Sequence, residues 1–307
     1  MPTYLESLTL RLAHGLAEVP EDVRARHAGF IKKSQSPDGG FPGREGGGDL
    51  YYTSFALRGL ALSGELDGAV AERAAEFLRS RLSGETPMID FLSLLYGAEL
   101  LRLAAGVDIL ADSPSGWQVK VAEELENFRR DDGGYAKTDA GHSSSTYHTF
   151  LVVLAHQLLG RDTPDPQRIV EFVRSRARVD GGFVEIGAMK RSGTNPTAAA
   201  AGLLRIFDAL DETTGDETAE FVAGMQTDEG GLRANTRIPI ADTLSTFTGL
   251  LTLADLGRLE WIDRQTAIDY IHEVELPGGG FRGAVWDLAT DVEYTFYGLG
   301  SLALLSA

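Results

Sequence analysis

The chain contains no cysteine. That absence excludes a disulfide framework, a thiolate nucleophile and any metal site built on thiolate. Positive charge is the scarcer sign, with 28 Lys and Arg against 45 Asp and Glu, for a formal net charge of -17 over 307 residues. An excess of that size disfavours nucleic acid and anionic membranes as partners and says little about fold. Long hydrophobic runs are missing as well. No stretch approaches the roughly 20 apolar residues that span a bilayer. The opening segment, Met1 to Pro20, sets Glu6, Arg11, His14 and Glu18 among leucines at helical spacing, unlike the unbroken apolar run of a signal peptide. A cytoplasmic protein is expected. There is no Ser-His-Asp motif, phosphate-cradling glycine loop or nicotinamide fingerprint, because the paired glycines here end helices rather than join a strand to a helix. His148 and His156 stand eight residues apart, too far to share one ion on a helix, and His14, His27 and His272 fall on flanking elements where no site is expected.

What the chain does have is a repeated turn. Asp38-Gly-Gly-Phe41, Asp132-Gly-Gly-Tyr135, Asp180-Gly-Gly-Phe183, Glu229-Gly-Gly-Leu232 and Gly278-Gly-Gly-Phe281 recur about 48 residues apart, except that the first interval is about twice as long. A degenerate copy is therefore expected near Thr86 to Asp90, giving six units. Each unit begins with a flanking helix that mixes charge with apolar residues at three- and four-residue intervals, as in Asp22 to Ser34 or Pro166 to Arg176. After the turn and a loop, a second helix opens on a capping residue, expected to be Asp49, Asp90, Ser144, Asn195, Asp242 or Asp291. These second helices are nearly free of charge: Tyr51 to Leu62, Phe91 to Leu101, Thr146 to Leu159, Thr197 to Leu204, Thr243 to Leu253 and Val292 to Leu305. A helix apolar on all sides is buried on all sides, so an inner ring of six helices inside an outer ring of six is expected, as one domain over residues 1–307. The fold class read from this pattern is all-α.

Gln35-Ser-Pro-Asp-Gly-Gly-Phe41 and Gln226-Thr-Asp-Glu-Gly-Gly-Leu232 resemble the glutamine-to-glycine-to-aromatic repeat of squalene and oxidosqualene cyclases and of protein prenyltransferase β subunits. The resemblance covers nearly the whole chain. It implies an α/α toroid whose inner helices line an apolar cavity for an isoprenoid, and six units without an inserted domain look most like the β subunit of the type II geranylgeranyltransferase. It also implies a helical α-subunit-like partner. In that family an Asp-x-Cys pair opens the fifth inner helix, and a His three residues after an Asp opens the sixth, together binding zinc. Here the corresponding residues are Asp242-Thr243-Leu244 and Asp291-Val292-Glu293-Tyr294, so Leu244 stands at the Cys position and Tyr294 at the His. A leucine offers zinc no donor, and no zinc is expected. Mg²⁺ is admissible as the companion of a bound diphosphate.

Three readings stay open on these residues: a prenyl-transferring enzyme without the zinc chemistry, a class II terpene cyclase, and a non-catalytic isoprenoid-binding or scaffolding toroid. The segment Asp291-Val292-Glu293-Tyr294-Thr295 keeps the register of the cyclases' Asp-x-Asp-Asp-Thr loosely, making Glu293 or Asp291 a candidate acid. Asp242 is the remaining candidate for chemistry. The first-turn position of Glu293 favours its ionised form through the helix dipole, so a capping role is the expectation against which acid catalysis is weighed. The resemblance places a diphosphate-gripping Arg and Lys in the loop before the fifth inner helix, where this chain has Arg233 and Arg237, and a diphosphate-binding His before the fourth, near Gly193 here with Lys190 and Arg191 close by. Tyr51, Tyr147, His148, Phe247, Trp286 and Tyr294 are candidates for lining the cavity.

Overall fold

The structure is a computed structural model that describes residues 2–82 and 87–306. Among these residues are thirteen α-helices and two pairs of two-residue strands, so the all-α expectation holds. The helices are α1 (Tyr4–Ala17), α2 (Glu21–Lys33), α3 (Leu50–Leu62), α4 (Gly68–Arg79), α5 (Met88–Ala105), α6 (Trp117–Leu125), α7 (Thr146–Leu158), α8 (Pro166–Ser175), α9 (Thr194–Ile206), α10 (Glu212–Ala223), α11 (Thr243–Leu256), α12 (Arg264–Val274) and α13 (Val292–Ser306). After α1, flanking and core helices alternate, the core set being α3, α5, α7, α9, α11 and α13. The chain packs into two compact units, a terminal unit of Met1–Ser115 with Ile271–Ala307 and a central unit of Gly116–Tyr270.

One turn chemistry serves both units. The first glycine of each turn, Gly39, Gly133, Gly181, Gly230 or Gly279, has φ between +81 and +94°. A Cβ there would also collide with a backbone carbonyl of a flanking helix, that of Arg73, Arg168, Glu217, Thr266 or Arg26 respectively. Glycine is required twice over, by conformation and by close approach. The second glycine lets an aromatic ring of that same helix lie flat on the turn: Phe77, Phe172, Phe221, Tyr270 or Phe30. The residue that follows is then stapled to its core helix. The backbone N–H groups of Phe41, Tyr135, Phe183 and Leu232 donate to the hydroxyls of Thr53, Thr149, Thr197 and Thr246 at 2.8 to 2.9 Å, and all four threonines are fully buried.

The glutamine of the repeat has an equally local purpose. Gln35 Nε2 donates to the carbonyls of Gly39 and Val70, and Gln226 Nε2 to those of Gly230 and Asp263, so each ties its own turn to the start of a flanking helix. Arg129 does the same from the equivalent position, reaching the Pro164 carbonyl at 2.6 Å.

Three expected caps are corrected. Asp90 lies inside α5, which opens on Pro87. The cap of α7 is Ser145, whose Oγ accepts the His148 N–H at 3.0 Å, not Ser144. Helix α9 begins on Gly193, because the Thr194 N–H and hydroxyl bond the carbonyls of Ala234 and Arg233, and Asn195 is drawn inside the helix. Of the degenerate turn expected at Thr86 to Asp90, Thr86 lies outside the described residues. Helix α1 packs on α13 and α3, with Gly15 against the Ala303 carbonyl, and its Thr9 hydroxyl lies 2.5 Å from that of Tyr96 on α5.

Candidate functional site

In the terminal unit, α3 and α13 each carry one charged residue in an otherwise uncharged sequence, Arg58 and Glu293. Both are half-buried. Glu293 Oε1 accepts hydrogen bonds from the Tyr51 hydroxyl at 2.5 Å and the Tyr297 hydroxyl at 3.1 Å. Oε2 has no hydrogen-bond donor among the described residues. Burial pushes the Glu293 carboxyl above the ordinary range, and the nearby Asp291 adds to the rise, while the two phenols oppose it. Desolvation thus works against the helix dipole, which favours the ionised form of a first-turn acid. Asp291 is buried, and its Oδ1 accepts the Tyr294 N–H at 2.9 Å as the cap of α13; burial raises it too.

An aromatic wall surrounds Glu293. Phe55 meets Tyr51 at 4.9 Å between centroids, Tyr297 at 5.2 Å and Phe296 at 5.4 Å. Tilted and edge-on contacts of this kind add about 0.5–1.5 kcal/mol each beyond burial. Seven residues beyond Tyr51, Arg58 sets its guanidinium carbon 4.6 Å over Phe55, 4.5 Å over Tyr96 and 5.7 Å over Phe296. Spacing on α3 explains the alignment: positions 51, 55 and 58 fall on one helix face.

The central unit presents a different set on its core helices. Thr248 donates to Asn195 Oδ1 at 2.7 Å between α11 and α9, and α9 carries a run of alanines. Asp242 caps α11, its Oδ1 accepting the Ser245 N–H at 2.7 Å, and burial raises its carboxyl. Phe247 is buried, His148 is half-buried with Nδ1 2.9 Å from Ser145 Oγ, and Tyr147 is 37 % exposed. Burial lowers the His148 imidazole, with Lys137 adding to the effect.

The expected diphosphate cations differ among themselves. Arg233 donates to the Gly224 carbonyl at 3.4 Å, Arg191 to Thr236 Oγ1 at 2.5 Å, and Lys190 and Arg237 are exposed. An open polar groove in this unit, bordered by Arg130, His142, Ser144 and Arg176, uses its arginines internally, Arg130 on the carbonyls of Gly141, Thr138 and Asp139 and Arg176 on Asp132. In the terminal unit, Tyr294 lies 5.7 Å beneath the Arg44 guanidinium, which pairs with Asp287 at 2.6 Å, while Trp286 is 66 % exposed.

His27 has a role that its flanking position hid. In the first, third and fourth repeats an aspartate accepts the N–H of the second turn glycine, as Asp38 does from Gly40 at 3.1 Å, Asp132 from Gly134 and Asp180 from Gly182 at 3.2 Å. The last turn has Gly278 at that position, and Gly280 N–H donates instead to His27 Nδ1 at 3.0 Å. Since that nitrogen accepts, the ring proton sits on Nε2 and is donated to Glu275 at 3.0 Å. His27 is fully buried and stacks on Phe281 at 4.5 Å, and burial lowers its pKa despite Glu275. The missing acid at Gly278 was the signal in the sequence.

Among the described residues no three His, Cys, Asp or Glu side chains gather as a metal group, and no helix is long and apolar enough to cross a membrane. The chain is 24 % identical over 223 residues to the geranylgeranyl transferase type-2 subunit beta of Saccharomyces cerevisiae, a match covering 70 % of this chain and 65 % of that relative's length. In structure it is similar to Candida albicans protein geranylgeranyltransferase-I complexed with GGPP, with a TM-score of 0.75 at 17 % identity over 92 % of this chain and 91 % of that one. It is also similar to the type II terpene cyclase MstE from Scytonema, with a TM-score of 0.61 at 15 % identity over 96 % and 98 %. The family model of the prenyltransferase alpha-alpha toroid domain matches residues 4–89 and 100–307, and the chain belongs to that family.

Proposed function

We propose that the protein binds an isoprenoid amphiphile, of the polyprenyl diphosphate class, against the aromatic wall formed by α3 and α13. The observation that carries this reading is the cluster of Tyr51, Phe55, Phe296 and Tyr297, whose ring faces suit an unsaturated hydrocarbon and which sits beside the one acid of α13. Membership of a prenyltransferase family supports it. Zinc-dependent transfer to a thiol is not part of the proposal. Leu244 has no donor atom, Asp242 spends Oδ1 on capping α11, and Tyr294 replaces an imidazole with a phenol, so these residues do not fit the ion. A helical α-subunit-like partner belongs to the proposal as the family's assembly.

A second reading is favoured by Glu293 itself. Burial shifts this carboxyl toward its protonated form, and with Oε1 occupied by two phenols, Oε2 is the oxygen left for a proton. Transfer of that proton to a carbon–carbon double bond would form a C–H bond and a carbocation and leave the carboxylate, which the two phenol donors stabilise. The adjoining rings would face the cation.

Native mass spectrometry with elemental analysis, on protein incubated with farnesyl and geranylgeranyl diphosphate, tests both readings. A stoichiometric prenyl complex free of zinc is expected. Release of diphosphate marks transfer chemistry, and a cyclised product that keeps its diphosphate marks the acid reading. Absence of any prenyl complex would contradict the isoprenoid proposal, and stoichiometric zinc would contradict its metal-free form.

A further inference from the structure

We propose that Arg58 is a built oxyanion site that receives the phosphate or carboxylate head of the isoprenoid amphiphile, so that the hydrocarbon runs from it along the aromatic wall toward Glu293. The inference rests on the isoprenoid reading above and adds to it the placement and polarity of the head.

Four observations converge on Arg58. First, its charge is clasped by the rings of Phe55, Tyr96 and Phe296, which can cover the faces of a guanidinium but offer nothing to its N–H edge. Second, none of its nitrogens has a hydrogen-bond acceptor among the described residues, and Nε is buried in that condition. Third, no carboxylate stands within ion-pair distance of it among those residues, and Glu293, the acid whose charge it does feel, has Oε1 already taken by Tyr51 and Tyr297. Fourth, it is the only charged residue of α3. Elsewhere in the fold arginines with a buried, unbonded nitrogen are held through their others, Arg129 on Glu126, Tyr135 and Pro164 and Arg176 on Asp132, while Arg130 makes five contacts to carbonyls. A guanidinium partly withdrawn from water, with faces covered and edge unsatisfied, is costly until an acceptor arrives. The ligand that fits an open guanidinium edge is an oxyanion with two coplanar acceptors, a carboxylate or a phosphate.

Placement supports the same assignment. The caps of α3 and α13 and the first turn of α5 carry Asp49, Asp291 and Asp90, a negative border that repels an anionic head. Arg58 lies roughly 10 Å further along α3 from Tyr51, at 1.5 Å per residue. There Tyr96 is steadied by the Thr9 hydroxyl of α1. A head at Arg58 therefore leaves the wall between Phe55 and Tyr51 for hydrocarbon.

Titration calorimetry with farnesyl phosphate, farnesoic acid and farnesol, which share one chain and differ in the head, tests the site on the full-length protein. Wild type is expected to bind at least one anion about tenfold or more tighter than the alcohol, and which anion wins identifies the head. Arg58→Met, which keeps an apolar stem, is expected to lose that preference while holding farnesol within about threefold, and Arg58→Lys to restore part of it. Arg58→Gln serves as a second neutral variant if the methionine form does not fold. A preference that survives both neutral variants and vanishes when Lys190, Arg191, Arg233 and Arg237 are replaced would put the head in the loops and overturn the proposal. Equal binding of all three probes by wild type would overturn it while leaving isoprenoid binding intact. Failure of all three to bind would remove the isoprenoid reading and this inference together.

Discussion

The terminal and central units share one scaffold and differ in what their core helices carry. Both use the same turn: a first glycine at positive φ against a flanking-helix carbonyl, a second glycine under an aromatic ring, and, in four of the turns, a buried threonine that receives the next N–H. Where the central unit has alanines and a threonine–asparagine bond, the terminal unit has four packed rings, a half-buried acid and an unpaired guanidinium. Repetition therefore marks what holds the fold, and departure from repetition marks where chemistry was placed. Charge on a core helix is costly: in the central unit the single charges of α9 and α11, Arg205 and Asp255, pair with each other, whereas Arg58 and Glu293 form no ion pair among the described residues.

The comparison breaks first, and hardest, at the turns. Gly39→Ala in the terminal unit and Gly181→Ala in the central unit should each cost about 3 kcal/mol or more, since a Cβ meets both a forbidden φ and a backbone carbonyl. Urea denaturation followed by circular dichroism checks this. Similar losses in both units support a shared scaffold, and a neutral effect in either would separate them.

Next in size is the effect confined to one unit. Glu293→Gln should abolish any proton-dependent turnover of an isoprenoid while leaving the melting temperature nearly unchanged, whereas Thr248→Val in the central unit should leave turnover within about threefold. The pH dependence has a definite sign. Because burial raises Glu293, the proton-loaded acid persists above the ordinary carboxylate range, and turnover should fall as pH rises through that raised value. A profile that climbs with pH over the same interval would contradict an acid role.

Smaller again is the closure at His27. His27→Ala should destabilise by about 1–3 kcal/mol by orphaning the buried Gly280 N–H. Since the folded pKa lies below the unfolded value of about 6.5, the neutral histidine contributes fully above that pH, and its contribution is lost as pH falls toward the lowered folded value. Denaturation of wild type and variant between pH 5 and 8, a range of about three units around that value, should show the difference shrinking on acidification. A constant difference would contradict the assigned protonation. The smallest expected effect is at Arg237. It is exposed, and its replacement by Ala should change prenyl affinity less than about threefold in calorimetry.

The scaffold was legible because its physics recurs. Paired glycines about 48 residues apart with one copy missing, acids at Asp49, Asp242 and Asp291, and nearly uncharged second helices each carry their cause in local sequence. The site was only partly legible. Glu293 and Tyr51 were visible as candidates, but a first-turn position argues for ionisation, and only packing shows the burial that raises the acid against its two phenol donors. Arg58 is not legible as a site although it is the lone charge of α3, because its aromatic partner Tyr96 lies on α5, where no glycine turn announces the repeat. His27 was hidden by sequence distance, since the turn it completes stands some 250 positions away. Asn195 has the residue type of a cap, but the bonds that start α9 earlier come from the next repeat.

The account rests on an isoprenoid lying along the α3 and α13 wall, and photolabelling tests that most directly. A diazirine-bearing farnesyl diphosphate, irradiated with the protein and mapped by peptide mass spectrometry, should label Phe55, Phe296 or Tyr297, and unlabelled geranylgeranyl diphosphate should suppress the label. Labelling confined to α9 and α11, or none that geranylgeranyl diphosphate competes away, would contradict it.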